Sequence, residues 1–143
     1  MKRLLLAIMC LAGVSFAHDG ATGVVKQRMD AMSNIGKANK VLTNIARGRA
    51  DFEPETVHAA AQQIANNSGE HLLMMFPENS LTAPSEATPE IWQNWDEFSQ
   101  LALTLAEAAE AMTEINDEAN FKPAFYAIAD TCKGCHRNYR LQK

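Results

Sequence analysis

The chain has 143 residues, 47% of them apolar, 7% aromatic and 21% charged, with a formal charge of −4 at neutral pH. That length suits one domain with a single core, the composition is too apolar for a disordered chain, and 3 Cys are too few for a disulfide scaffold. The acidic balance argues against general nucleic-acid binding, which needs a basic surface.

At the N-terminus, Lys2 and Arg3 precede an almost unbroken apolar run over 4–14, and Ser15-Phe16-Ala17 ends it with small residues on either side of Phe16. This three-part pattern predicts a cleaved secretory signal over 1–17. The run is too short for a bilayer's hydrocarbon core, which takes ~20 residues. Met9 before Cys10 departs from a lipoprotein signal, so Cys10 is expected to leave with the signal peptide. The mature chain, 18–143, then carries 11 basic against 17 acidic residues, a formal charge of −6, and retains only Cys132 and Cys135. It holds no second long apolar stretch, so no membrane insertion is expected. The expected compartment is a bacterial periplasm.

Four helical segments are predicted. The first covers about 23–47, where Val25, Met29, Met32, Ile35, Leu42 and Ile45 recur at three-, four- and seven-residue steps, and Gly48 supplies a stop. The second starts at Pro54, a favourable first helical residue. It carries Val57, Ala61, Ile64, His71 and Leu72, with Gly69 as a weak point, and ends before Pro77. Residues 76–88, rich in Pro, Ser and Asn, read as a loop crossing the end of a bundle. Thr88-Pro89 then resembles an N-cap and first turn, opening a third helix to about residue 115 with Trp92, Trp95, Phe98, Leu101, Leu105, Ala108 and Met112 inward. Asn116 and Asp117 break it. The last helix, about 119–141, sets Phe125, Ile128, Cys132, Cys135 and Tyr139 on one stripe. No strand-like alternation competes, and the expected fold is an all-α antiparallel four-helix bundle.

One motif carries chemistry. Cys132-Lys133-Gly134-Cys135-His136 has the C-x-x-C-H pattern of covalent c-type haem attachment. Residues three apart share a helix face, so both thiols reach the vinyl groups at one porphyrin edge. His136, four after Cys132, rises from the same surface toward the iron. A thioredoxin-type dithiol is the first alternative, but it normally opens a helix after a strand, whereas this motif closes the last helix. A zinc site is the second. It needs four ligands, so His18, His58 or His71 would have to join Cys132, Cys135 and His136.

The sixth iron ligand decides what such a haem does. Met opposite His gives an electron-transfer centre of raised potential, and an open position gives ligand binding. Met32 lies inward midway along the first helix, and Gly36 one turn later leaves room for a ring edge. Met29, one turn earlier, is the local rival, and any Met on an inward stripe also serves as core filler. Pattern alone leaves these open.

At this point the chain resembles the class II cytochromes c, the cytochrome c-prime family, over essentially the whole mature sequence. The matching stretches are CKGCHRNYR at 132–140, RMDAMSNIG at 28–36, Phe76-Pro77-Glu78-Asn79-Ser80, and Pro89-Glu90-Ile91-Trp92. The resemblance implies a single haem c inside a four-helix bundle, attached near the C-terminus through Cys132 and Cys135 with His136 on the iron. Low-spin members place Met at the distal position of the first helix and shuttle electrons. High-spin members place a non-coordinating residue there and bind NO or CO. The family's pattern puts that position four after Arg28 and four before Gly36, at Met32, with Met29 as the alternative in a one-turn slip. Arg140 corresponds to a basic residue beside the proximal face that pairs with a haem propionate or tunes the iron's field. The competing reading is a solvated Arg at the helix C-terminus. Phe125 and Tyr139, sharing the cysteine stripe, are expected as walls of the haem pocket.

The remaining residues read as structural. Trp92 and Trp95 are expected as core or loop anchors, and the acidic series Glu107, Glu110, Glu114, Asp117 and Glu118 as a solvated face. The expected function is that of a periplasmic monohaem electron carrier rather than an enzyme, with His136 and Met32 on the iron. Its partners would be redox proteins meeting it transiently near the haem edge. The −6 charge favours a basic docking patch on those partners, and a homodimer through the first two helices is open. The alternative is a five-coordinate protein binding NO or CO.

Overall fold

The computed structural model describes residues 20–142, so the expected signal peptide over 1–17 and the new terminus at His18 lie outside the described residues. Helix α1 spans Gly23–Ala46, α2 Pro54–Asn66, α3 Gly69–Leu73, α4 Glu90–Gln93, α5 Trp95–Met112 and α6 Glu118–Tyr139. The four long helices close a ring in which α1 packs on α2, α2 on α5, α5 on α6 and α6 back on α1. Among the described residues no helix is long and apolar enough to cross a membrane.

The boundaries of α1 and α6 follow the sequence closely. Gly48 takes φ +65° just beyond α1, and Asp117 caps α6 by accepting from the Asn120 N–H at 2.9 Å. The second and third predicted helices are each broken. The Ser68 Oγ–H donates to the Ile64 carbonyl at 2.8 Å, and Gly69 adopts φ +59°. The chain therefore turns sharply and restarts as α3, which leaves His71 exposed rather than on the inward face. In the third segment the Asn94 side chain donates to the Glu90 carbonyl at 3.1 Å, a local bond that competes with helix continuation. The break separates α4 from α5 and turns Trp95 outward to 37% exposure, contrary to the inward position expected for it. Its ring still lies 5.7 Å from Phe98. Trp92 is half-buried and donates its indole N–H to the Phe76 carbonyl at 3.0 Å, an anchor for the crossing loop.

Two core clusters stack along the bundle. The far cluster, where α1 ends and α6 begins, includes the fully buried Leu42, Val57, Ile64, Phe121 and Ile128; each such side chain contributes about 1.5–3 kcal/mol by leaving water. The near cluster, beneath the crossing loop, is built from Ala31, Leu72, Met75, Phe76, Ile91, Phe98, Ala102 and Tyr139. Its aromatic centre is the edge-on contact of Phe98 with Phe76 and with Tyr139.

Gly69 and Gly48 make a natural comparison. A Cβ at Gly69 would sit 3.0 Å from the Ala106 Cβ, whereas one at Gly48 meets nothing within 4 Å, and both residues have positive φ. Gly48→Ala is expected to cost about 1 kcal/mol through backbone strain alone. Gly69→Ala should cost about 2–3 kcal/mol because the α3–α5 contact must also open. Urea unfolding of the two variants measures the difference, and equal losses would show that the close approach to Ala106 relaxes freely.

Candidate haem site

The last two turns of α6 carry Cys132, Cys135 and His136. Both cysteines are half-buried and free. Cys132 packs against the far core cluster and Cys135 against the near one, so the pair straddles the seam between them. Met32 packs against both clusters from the α1 side, whereas Met29, one turn earlier, is half-buried and is not among the residues packed on either. Met32 on α1 and the two cysteines on α6 thus meet the same layer of the bundle, while His136 is exposed beside them. Phe125 belongs to the far cluster with Phe121 and Ile128, and Tyr139 to the near one, so they lie on opposite sides of that seam.

Burial raises both thiols, with Cys135 pushed up to about 11 by desolvation, helped by its neighbours Cys132 and Glu97. This is the opposite of a thioredoxin-type nucleophile, whose pKa is lowered at a helix start. The His136 ring is lowered by desolvation first and by the charge of Arg140 second, against an opposing effect of Glu86, a shift toward the neutral form a metal requires. Tyr139 is pushed up to about 12 by burial and by its hydrogen bond to Glu97. Among the described residues no group of three His, Cys, Asp or Glu side chains is placed to hold an ion, and His18 lies outside them. His58 instead bonds the Ile115 carbonyl at 2.8 Å at the far end.

The residue that sequence reasoning passed over is Arg28. It is 3% exposed and sits on the inward stripe of α1 one turn before Met32. Its Nη1 donates to Ser80 Oγ at 3.1 Å and to the Met75 carbonyl at 3.4 Å, and its Nη2 to the Ser80 carbonyl and to Ser85 Oγ, the latter at 3.2 Å. The guanidinium lies 4.8 Å from the Phe76 ring centre. All its bonded partners are neutral, and its Nε is buried with no partner. A signal was available: three- and four-residue steps from Val25 through Arg28, Ala31 and Ile35 place a charge where only apolar residues were expected.

Arg140, expected beside a propionate or in solvent, is exposed and pairs with Glu86 of the crossing loop, its Nε 2.8 Å and its Nη2 2.6 Å from Glu86 Oε2. Lys133, His136, Arg137, Arg140, Leu141 and Gln142 line a surface concavity of about 480 Å³ on the outer side of α6.

These features fit a flat, covalently held macrocycle bearing carboxylates. Two thiols three residues apart are presented unpaired. A Cβ at Gly36 or Gly134 meets nothing within 4 Å, so neither position is crowded by protein. A buried guanidinium without a carboxylate partner, one N–H orphaned, suits an incoming anion.

Arg28 also yields a stability prediction. Arg28→Lys keeps the charge, but one ammonium cannot serve Ser80 and Ser85 with the planar fork of a guanidinium. It is expected to lower stability by about 1–3 kcal/mol, read by guanidinium chloride unfolding. An unchanged midpoint would show that the crossing loop holds without these bonds.

The comparisons with known proteins agree with this geometry. The family model described as Cytochrome C' matches residues 23–140. A cytochrome c' from Rhodopseudomonas palustris is 32% identical over 96% of this chain and 98% of its own length. A cytochrome c-556 from Agrobacterium tumefaciens is 33% identical over 85% of this chain and 99% of its own. Among solved structures, cytochrome c' from Rhodopseudomonas palustris superposes with a TM-score of 0.80 at 32% identity, covering 86% of this chain and 99% of that one. The neighbours share the four-helix bundle, and the cofactor is one covalent haem c. The chain belongs to the cytochrome c' family of monohaem c-type cytochromes.

Proposed function

We propose that this protein is a periplasmic one-electron carrier in which Cys132 and Cys135 hold the haem and His136 and Met32 take the two axial positions. The haem supplies the iron that alternates between ferric and ferrous states. The chain's own residues fix its surroundings. Desolvation and Arg140 shift His136 toward its neutral form, Met32 offers a thioether at the seam between the two clusters, and Arg28 offers the orphan Nε to a propionate. Export through residues 1–17, ahead of a mature chain from 18 to 143, belongs to this reading.

The observation that carries the choice of electron transfer is the position of Met32, packed against both clusters that receive the cysteines, where Met29 packs on neither. The relatives do not make that choice, since they include proteins named cytochrome c' and cytochrome c-556 at nearly equal identity. Ferric and ferrous optical spectra of the holoprotein, with and without CO, test it. A Met–iron charge-transfer band lost in Met32→Ala and kept in Met29→Ala is expected. A high-spin spectrum with prompt CO binding would instead assign the protein to the gas-binding reading and leave Met32 as packing.

Partners are proposed to be redox proteins in weak, transient contact. The mature charge of −6 steers cationic surfaces toward it, while Lys133 and Arg137 contribute positive charge beside His136. Electron exchange with a cationic metal complex is expected to exceed that with an anionic one at low salt. The two rates should converge as ionic strength passes ~0.1 M, where the screening length falls to ~10 Å. The reverse order would show that the cations lining the concavity govern the contact.

A further inference from the structure

Two arginines stand one turn from the two proposed axial positions: Arg28 four residues before Met32 on α1, and Arg140 four residues after His136 at the end of α6. They grip adjacent residues of the same loop. Arg28 Nη2 donates to Ser85 Oγ at 3.2 Å, and Arg140 Nε donates to the Glu86 carboxylate at 2.8 Å. Backbone bonds reinforce the α6 side. The Leu141 N–H donates to the Glu86 carbonyl at 2.8 Å and the Thr88 N–H to the Tyr139 carbonyl at 3.1 Å, with Ala87 and Arg140 forming an isolated antiparallel bridge. Ser85 Oγ also accepts from the Ala87 N–H at 3.2 Å, so three consecutive loop residues join α1 to α6. These two helices pack on each other less extensively than the other neighbours in the ring, so direct contact contributes least to the spacing of this pair.

We infer that residues 85–87 form a positioning strap, with Ser85 and Glu86 holding α1 and α6 at the separation that keeps the Met32 thioether within bonding reach of the iron; this rests on the reading of Met32 and His136 as axial ligands. A metal–ligand bond tolerates only a few tenths of an ångström before it weakens. A ligand on one helix and its counterpart on another therefore depend on whatever fixes the gap between them. Ser85 and Glu86 hold the two helices through Arg28 and Arg140, and the Glu86 charge also acts on His136.

The test uses holoprotein carrying Ser85→Ala, Glu86→Gln, or both, with Glu110→Gln at the far end of the bundle as a control. The ferric Met–iron band and the far-UV helical signal are followed through urea titration, and the CO association rate is measured on the ferrous form. The strap predicts that the variants lose the band at lower urea than they lose helicity. It also predicts a CO rate roughly threefold to tenfold above wild type, the range set by losing one charge-assisted bond, with the control unchanged. Band and helicity lost together at a lower midpoint would reduce these residues to general stabilisers and overturn the inference, as would variants indistinguishable from wild type. If the double variant does not fold, the single Glu86→Gln protein decides by the same criteria. A wild-type protein that is itself high spin and binds CO promptly would overturn the Met32 reading and the strap's role with it. That pattern is distinct because the band is then missing before any substitution.

Discussion

The end of the bundle that receives the cofactor is organised around one buried positive charge. Withdrawing a guanidinium from water costs several kcal/mol even after the surroundings relax, and Arg28 has no carboxylate among its bonded partners to offset this. Its compensation comes from neutral acceptors on the crossing loop and from the face of Phe76. The loop must therefore lie down across the bundle end with Ser80, Ser85 and the Met75 carbonyl converging on one point. What looks in sequence like a long irregular connection is bound by the desolvation of a single side chain on α1.

The two core clusters divide the work. The far cluster is aliphatic with two phenylalanines, dense, and largely without polar atoms, the composition that gives a helical bundle its stability. The near cluster is smaller, aromatic, and flanked by the crossing loop, with Ala31 and Ala102 keeping side-chain volume low on two of its helices. Between them lies the layer to which Met32, Cys132 and Cys135 contribute. A site at the seam inherits rigidity from the far cluster, whereas its immediate walls are set by a loop and by short side chains. On the proposed reading, that would suit a carrier whose ligands move little between oxidation states.

The long helices were legible because α1 and α6 each carry an apolar stripe of helical period bounded by local signals, Gly48 for one and Asp117 for the other. The attachment motif was legible for the same reason, since C-x-x-C-H is contiguous and its spacing is its meaning. The breaks at Ser68 and Asn94 were not, because each depends on a side chain returning to a carbonyl four residues back, a bond available to every Ser and Asn in a helix and realised only where tertiary contacts favour it. Trp95 was misplaced as a direct consequence, since the break falls one residue earlier, whereas Phe98, Leu105 and Met112 further along keep their inward positions. Arg28 was hidden by a general expectation that a charge marks the solvent face, and Glu86 by its distance in sequence from Arg140. Partners brought together by a crossing loop leave no periodic trace.

The same constraint bears on how one fold serves two chemistries. Proteins named cytochrome c' and cytochrome c-556 align with this chain at about one-third identity along most of their lengths, so the bundle itself does not decide whether the iron keeps a sixth protein ligand. A methionine at the right step of α1 is necessary for that outcome but not sufficient, because a thioether is a weak ligand on a flexible side chain. It stays bound only if the helix carrying it is held at a fixed distance from the helix carrying the histidine. Helix packing supplies part of that distance through the far cluster, where α1 and α6 both bury large side chains. At the proposed site, where contact between the two helices is thin, the proposed sixth ligand would depend on Ser85 and Glu86 closing the gap from outside the core. On the proposed reading, polar contacts on a surface loop would bear on the choice between carrying electrons and binding gas as much as Met32 does.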